Sequence, residues 1–366
     1  MKNTDFNVGH CVVTGGAGFI GSALSFELAN IYERVVVFDN LHPQIHKIQR
    51  RPDALDVRCE LVVGDVTDAL AWDALLSHIR PEVIVHLAAE TGTGQSLTES
   101  NRHAMVNVVG TAQMLDALHR SSCQPKRIVL SSSRAVYGEG DWKLQDGKII
   151  QPGQRTQQQL ELAHWDFPNA VSLPFDAAVT RAAPTSIYGA TKLAQEHLVN
   201  SWSLAHEGTS PRILRLQNVY GPGQSLSNPY TGIVSLFVQL AKQGKSIPLY
   251  EDGKMLRDFV YIDDVASALL ASIAVDAQPS PLDVGTGEAT SIRQIAEAIA
   301  MRYEAPQPHV CGKFRNGDVR HASCDIAQTR AVLNWEPKVD WRAGLFRLCD
   351  WIDSQIDNSI SGKGAV

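Results

Sequence analysis

Tyr188 and Lys192 stand at i and i+4 in Ser186-Ile187-Tyr188-Gly189-Ala190-Thr191-Lys192, a spacing that sets a phenol and an ammonium on one face of a helix. There the cation lowers the phenol's pKa and the pair becomes a proton-transfer catalyst. By itself such a pair is common on solvated helix faces. Two stretches upstream give it something to act on. One is the strand-end triplet Ser131-Ser132-Ser133, which offers a hydroxyl, and the other is a glycine loop near the N-terminus.

Val12-Val13-Thr14 is a short apolar strand that runs into Gly15-Gly16-Ala17-Gly18-Phe19-Ile20-Gly21, and Ser22 to Ala29 read as a helix. Strand, glycine turn and helix in this order bring backbone N–H groups and a helix N-terminus up to a pyrophosphate that side chains would block. Gly15, Gly18, Phe19, Ile20 and Gly21 are therefore candidate dinucleotide contacts. The next strand, Arg34 to Phe38, ends in Asp39 followed by Asn40. A carboxylate there accepts hydrogen bonds from the adenosine ribose hydroxyls and repels a 2′-phosphate, which favours NAD over NADP. Lys47, Arg50 and Arg51 follow closely enough to offer a cationic alternative.

These groups need a scaffold, and the chain has the material for one: 366 residues, 44% hydrophobic, with 33 basic and 39 acidic residues, enough to bury a large core in more than one unit. A net charge of −6 argues against nucleic acid or an anionic membrane as partner. Cys11, Cys59, Cys123, Cys311, Cys324 and Cys349 include no CxxC pair, which points to a reducing compartment and no metal site. Met1 to His10 lack an apolar signal core and no run has the length of a membrane span, so a cytoplasmic location is expected.

Apolar strands alternate with helical patterns: Val12 to Thr14, Val35 to Phe38, Leu61 to Val63, Val83 to Leu87, Ile128 to Ser131 and Ile213 to Leu216, with helices at Ala71 to Ile79, Asn107 to Arg120 and Tyr188 to His206. The pattern predicts an α/β fold, a Rossmann-type doubly wound parallel sheet covered on both faces. Beyond about Gly221, Pro/Gly-rich loops separate Ile233 to Gln243, Ile262 to Ala274, Ser291 to Arg302 and Trp341 to Ser354. They predict a smaller C-terminal α/β substrate lobe over residues 221–357 beside a cofactor domain over 1–220, with elements free to interleave and a disordered tail from Asn358.

The glycine motif, Asp39, Gly64-Asp65-Val66, His86-Leu87-Ala88-Ala89, Asn107-Val108-Val109-Gly110-Thr111, the serine triplet and the Tyr/Lys pair occur in the order of the extended short-chain dehydrogenase/reductase family. From about Cys11 to Trp351 the chain resembles that family's nucleotide-sugar epimerases and dehydratases. The resemblance implies NAD as cofactor and a nucleotide-diphosphate sugar as substrate. It implies adenine contacts for Asp65 and Val66, a cofactor wall of Leu87, Ala88 and Ala89, further cofactor contacts at Thr91 and Ser131, and backbone support from Asn107. Singly, Asp65 also reads as a turn acid and Asn107 as a helix-starting amide. In the implied chemistry Tyr188 removes a sugar hydroxyl proton, Lys192 holds the nicotinamide ribose, and Ser133 bonds the same sugar oxygen.

Ser133-Arg134-Ala135-Val136-Tyr137 separates the family's activities. The similar 4,6-dehydratases carry an acidic pair at the positions of Arg134 and Ala135, and decarboxylases a glutamate at that of Ala135. An alanine supplies neither acid nor base, so oxidation to a ketone and re-reduction, a C4 epimerisation, is the simplest competent reaction. A net ketosugar reductase would share these motifs; a non-catalytic NAD-binding regulator would not need Ser133, Tyr188 and Lys192 together. The resemblance also places Asn218, Arg257 and Arg320 at a pyrophosphate, where guanidiniums make forked bonds, with Leu249 and Tyr250 either bordering the base or serving as ordinary strand packing. Arg134 reads as a sugar contact or as a structural ion-pair partner.

Glu90 to Ser96, with Thr93 at the sugar, and Asn228 to Gly232 look like enzymes acting on dTDP-6-deoxyhexoses. The long segment near 138–183, Gln-rich with Trp142 and Trp165, reads as an ordered insertion near the active-site mouth or as a passive surface loop. A homodimer is expected through the helices near Asn107 to Arg120 and Tyr188 to His206, whose outward faces are taken to carry Met114, Leu118, Leu198 and Trp202.

Overall fold

Strands that are apolar on both sides must be covered on both faces, and chains that return by helical crossovers pair them in parallel. The computed structural model describes residues 9–46, 48–226, 232–276 and 281–361. Its central sheet contains β1 (His10–Thr14), β2 (Arg34–Asp39), β3 (Glu60–Val63), β4 (Val83–His86), β5 (Arg127–Ser133), β6 (Ser210–Leu216) and β7 (Leu282–Val284). All pairs are parallel, in the order β3-β2-β1-β4-β5-β6-β7. The order reverses between β1 and β4, which opens a crevice at the carboxyl ends of the strands, where ligands bind in such sheets.

Side chains alternate across each strand, and the sorting is visible residue by residue. Val13, Val35, Val37 and Val129 pack with Leu24 and Leu28 of α1 (Phe19–Ile31) and Val265 and Leu269 of a helix at Ile262–Ala274. Their neighbours Val12, Val36, Ile128 and Leu130 face Trp72 and Leu75 of α2 (Ala69–His78), Met114 and Leu118 of α3 (Gly110–Arg120) and Val199 of α4 (Ile187–Ala205). Met114 and Leu118 are therefore corrected: both are 0% exposed, packed on the sheet, and the outer side of α3 carries Asp116, His119 and Arg120.

β7 and the Ile262–Ala274 helix come from beyond Gly221, yet β7 pairs with β6 and the helix packs on the sheet. The C-terminal lobe has its own core of Val234, Phe237, Ile295, Ile299, Leu345 and Ile352. The insertion is ordered: Trp142–Leu144, Ile149–Ile150 and Ala170–Ser172 form a small antiparallel sheet. The last helix, Trp341–Ser361, extends past the predicted end at Ser354 into the expected tail. Lys47, Asn228 to Thr231 and residues 362–366 lie outside the described residues. Among those described, no helix is long and apolar enough to cross a membrane.

Candidate active site

The glycine loop is built for close approach. Gly15 sits at φ +63°, and a Cβ there would lie 2.6 Å from the Ala88 amide nitrogen, which only glycine avoids. A Cβ on Gly21 would overlap the backbone of Gly16. No side chain caps α1 and its first turn has no acid, so its leading N–H groups are available to an anion. Asp39 accepts from Ala17 N at 3.0 Å and Leu41 N at 2.8 Å. It thereby fixes the loop, and each oxygen keeps a second lone-pair direction for a ribose hydroxyl. The cationic alternative is partly spent, since Arg51 donates to the carbonyls of Cys59, Leu55 and Asp56.

A cleft of about 990 Å³ runs along the crevice. Gly15, Gly18, Phe19, Ile20, Asp39, Asn40, Val66, Leu87, Ala88, Ala89 and Thr91 line it, as do Thr93, Ser133, Arg134, Tyr188 and Asn218. These residues, together with the cradle that a Cβ would fill, suit an extended dinucleotide with a second ligand beside it. Asp65 is engaged beside the cleft, accepting from Asn40 Nδ2 at 2.9 Å and Thr67 N at 2.8 Å. Ser131 is buried, its hydroxyl donating to His86 O.

Around Tyr188 the local sequence explains the geometry. Ser186 caps α4 by accepting from Gly189 N at 3.0 Å, which places Tyr188 in the first turn. Ser133 ends β5 and accepts from Ala135 N at 3.2 Å, and its hydroxyl stands near enough to the Tyr188 phenol to act on its pKa. Burial raises the phenol above its ordinary value, while Ser133 and then the Arg134 guanidinium pull it back. Lys192, expected from its spacing to supply that pull, instead donates to Gln195 Oε1 at 2.6 Å. Asn107 lies in a π-helical turn, Ala104–Val109, a feature frequent at functional sites. Its amide holds Glu90 N at 2.8 Å, Glu90 O at 3.0 Å and Thr191 Oγ1 at 2.9 Å, pinning the cleft wall to α4.

The expected pyrophosphate set divides. Arg134 Nε donates to Asn218 Oδ1 at 2.7 Å on the cleft wall, and burial, with the charge of Arg257 second, brings its guanidinium down to about 10. Arg257 is committed to Asp318 at 3.1 Å and to the carbonyls of Leu256, Val319 and Arg320. Arg320 is 1% exposed, and Glu251, Asp252 and Asp166 hold all of its side-chain nitrogens. That is a correction: in this arrangement Arg320 has no donor to offer a substrate. Leu249 is buried in the C-terminal core and Tyr250 packs against that core; neither lines the cleft.

Two side chains come into view that motif and spacing do not single out. Arg315 is exposed, 5.3 Å over the Tyr250 ring, with no ion pair among the described residues; in sequence it is one more arginine near Gly317-Asp318. Gln195 contacts Lys192, and its only signal is a place one turn along the same helix.

The model for the NAD dependent epimerase/dehydratase family matches residues 11–159 and 167–285, and the break falls inside the insertion. A dTDP-L-rhamnose 4-epimerase of Burkholderia thailandensis is 58% identical over 347 residues, 94% of this chain and 95% of that protein. The structure of a UDP-glucose 4-epimerase from Thermotoga maritima with UDP-glucose is similar at TM-score 0.79 and 26% identity, over 95% of this chain and 99% of the other. A UDP-glucose 4-epimerase from Thermus thermophilus in complex with NAD gives 0.73 and 26%, over 94% and 99%. With the family's pattern matched along most of its length and a relative at this identity, the chain belongs to the NAD dependent epimerase/dehydratase family.

Proposed function

We propose that the protein is an NAD-dependent nucleotide-sugar 4-epimerase that interconverts dTDP-L-rhamnose and dTDP-6-deoxy-L-talose. The observation that carries the reading is the group around Tyr188: a phenol lining one cleft with the Ser133 hydroxyl and Arg134, and with Ala135 where a dehydratase needs an acid. The identity to a dTDP-L-rhamnose 4-epimerase supports the choice of base and sugar.

Tyr188, as phenolate, removes the C4 hydroxyl proton and returns it to the same oxygen after the ketone stage. Bound NAD would supply reversible hydride acceptance at C4. The N–H groups at the start of α1 would hold its pyrophosphate, Asp39 its adenosine ribose and Lys192 its nicotinamide ribose. Ser133 steadies the sugar oxygen in both directions. Arg134 with Asn218, on the cleft wall, keeps the substrate pyrophosphate anchored while the ketone turns its other face. No net redox occurs.

Each dTDP-sugar, incubated without added NADH and followed through its anomeric protons by NMR, should therefore reach the same mixture from either side. Conversion only with stoichiometric NADH would make the enzyme a reductase. Inertness toward both, with turnover of a UDP- or GDP-sugar, would keep the chemistry and replace the substrate.

We further propose a cytoplasmic homodimer joined through the surface of α3 and α4. Met114 and Leu118 are committed to the core and Leu198 and Trp202 pack partly buried against it, so the exposed apolar residues offered there are Leu204, 86% exposed, and Met105 of the adjoining π-helical turn, 41% exposed. Light scattering at micromolar concentration should give a dimer, and Leu204→Glu should shift it toward monomer. A monomeric unmodified protein would remove this assignment.

A further inference from the structure

The run Thr191-Lys192-Leu193-Ala194-Gln195-Glu196 reads as a solvated helix, yet Lys192, Gln195 and Glu196 are all buried on the inward side of α4. Because Gln195 Oε1 accepts from Lys192 at 2.6 Å, its Nε2 is the end that faces β4. Nε2 donates to Thr111 Oγ1 at 2.8 Å and lies 3.3 Å from His86 Nε2. Thr111 gives its hydroxyl proton to Asn107 O at 2.6 Å, so its oxygen is left as an acceptor for His86 Nε2 at 3.0 Å. His86 Nδ1 then accepts from Thr14 Oγ1 at 2.7 Å. Thr14 ends β1 and precedes Gly15. The donors and acceptors balance with one neutral imidazole protonated on Nε2. Burial, with the Lys192 charge second, brings His86 down to about 3, in keeping with that state.

We propose that Gln195 is a positioning residue that holds the Lys192 ammonium in place and charged, through a buried chain of hydrogen bonds running Lys192, Gln195, Thr111, His86, Thr14 to the strand that carries the glycine loop. The proposal rests on Lys192 serving the cofactor as described above. It answers an electrostatic need: burial pushes Lys192 down to about 7, and Glu196 acts in the opposite direction. The charged and titratable groups facing the lysine are Glu196 on its own helix and His86 from β4. Glu196 is itself bound by Arg215 of β6 at 2.7 Å and by the Ser132 hydroxyl of β5. The side-chain acceptor in direct contact with the ammonium is thus Gln195. Removing it favours the neutral amine. Since the ammonium is lost as pH rises, the alkaline limb of activity must move to lower pH.

Gln195→Met keeps the length of the side chain and deletes the acceptor. A hydrogen bond to a charged group of ordinary strength corresponds to about one to two pH units, and the alkaline limb of kcat should move down by that amount with KM for the sugar unchanged. NAD affinity, measured by calorimetry without sugar, should weaken about tenfold or more at the alkaline end, the factor that a limb displaced by about one pH unit carries, and Gln195→Glu should restore both. A pH-independent loss of activity with a lowered melting temperature, or an unchanged limb and affinity, overturns the proposal. Should Gln195→Met fail to fold, nitrogen-15 NMR of His86 in the unmodified holoenzyme decides: a neutral Nε2-protonated ring is expected, and an Nδ1-protonated ring or titration near neutral pH overturns it. Lys192→Ala separates the layers. An active Lys192→Ala enzyme refutes the active-site reading itself, whereas an inactive one beside an unaltered Gln195→Met enzyme refutes only the relay.

Discussion

Tyr188→Phe should lower turnover by about 10²–10⁴-fold, the range for a positioned proton-transfer group, while NAD stays bound. The substitution keeps the ring, which meets His103 edge-on with centroids 6.5 Å apart, and deletes only the phenolic oxygen. The measurement is the rate of dTDP-sugar interconversion, with retained nicotinamide quantified after denaturation. Because burial raises the phenol, the phenolate fraction grows with pH, so activity in the unmodified enzyme should climb on the acid side until the Lys192 ammonium begins to be lost. Near-normal turnover by Tyr188→Phe would take the residue out of its role. Ser133→Ala, which removes a helper hydroxyl and leaves the base, should cost less.

The apolar runs that make β1, β2, β4 and β5 are legible in the sequence because each is buried on both faces, and burial of that kind leaves a continuous signature. The short β7, Leu282–Val284, is not. It has an aspartate at its centre, and nothing local says that Asp283 is accommodated there by the Tyr137 hydroxyl at 2.8 Å. The orientation of α3 escapes the sequence for a related reason. Met114, Leu115 and Leu118 repeat at helical spacing with Asp116, His119 and Arg120 opposite, so the sequence marks one apolar side, and what it leaves open is whether that side meets the sheet or a second chain.

At the site, the groups that act through local backbone are readable: the glycine loop, the serine at a strand end, and the tyrosine in a capped first turn. Groups whose meaning depends on distant partners are not. Gln195 is defined by Thr111 and His86, which reach it from α3 and β4. Arg320 is defined by Asp166 from the insertion and by Glu251 and Asp252 from the C-terminal lobe. In sequence an arginine beside Gly317-Asp318 is chemically suited to an anion, and only the fold reveals that the anions are its own carboxylates.

Arg320→Met should therefore act as a stability variant, not a binding variant. Arg320 and Arg155 form a buried cluster with Glu139 and Glu251: Arg155 reaches Glu139 at 3.2 Å and Glu251 at 2.9 Å, and Arg320 reaches Glu251 at 3.0 Å. Glu139, Arg155 and Asp166 belong to the insertion, while Glu251, Asp252 and Arg320 belong to the C-terminal lobe, so the cluster clamps one to the other. Removing one partner of a buried pair costs on the order of 3 kcal/mol, since the remaining charge keeps its desolvation penalty; Arg155 remains to Glu251 and sets the loss at the lower end of that range. Chemical denaturation should register the loss equally with and without dTDP-sugar, and KM of the folded enzyme should change little. Asp166 adds a pH dependence. Its carboxyl is held below the ordinary 3.8, first by the His321 hydrogen bond and then by Arg320, so its contribution is full above that value and fades as pH falls below it. Arg134→Met, on the cleft wall, should behave in the opposite way, weakening substrate binding with little change in melting. A normal melting curve for Arg320→Met together with a large rise in KM would return that guanidinium to the pyrophosphate.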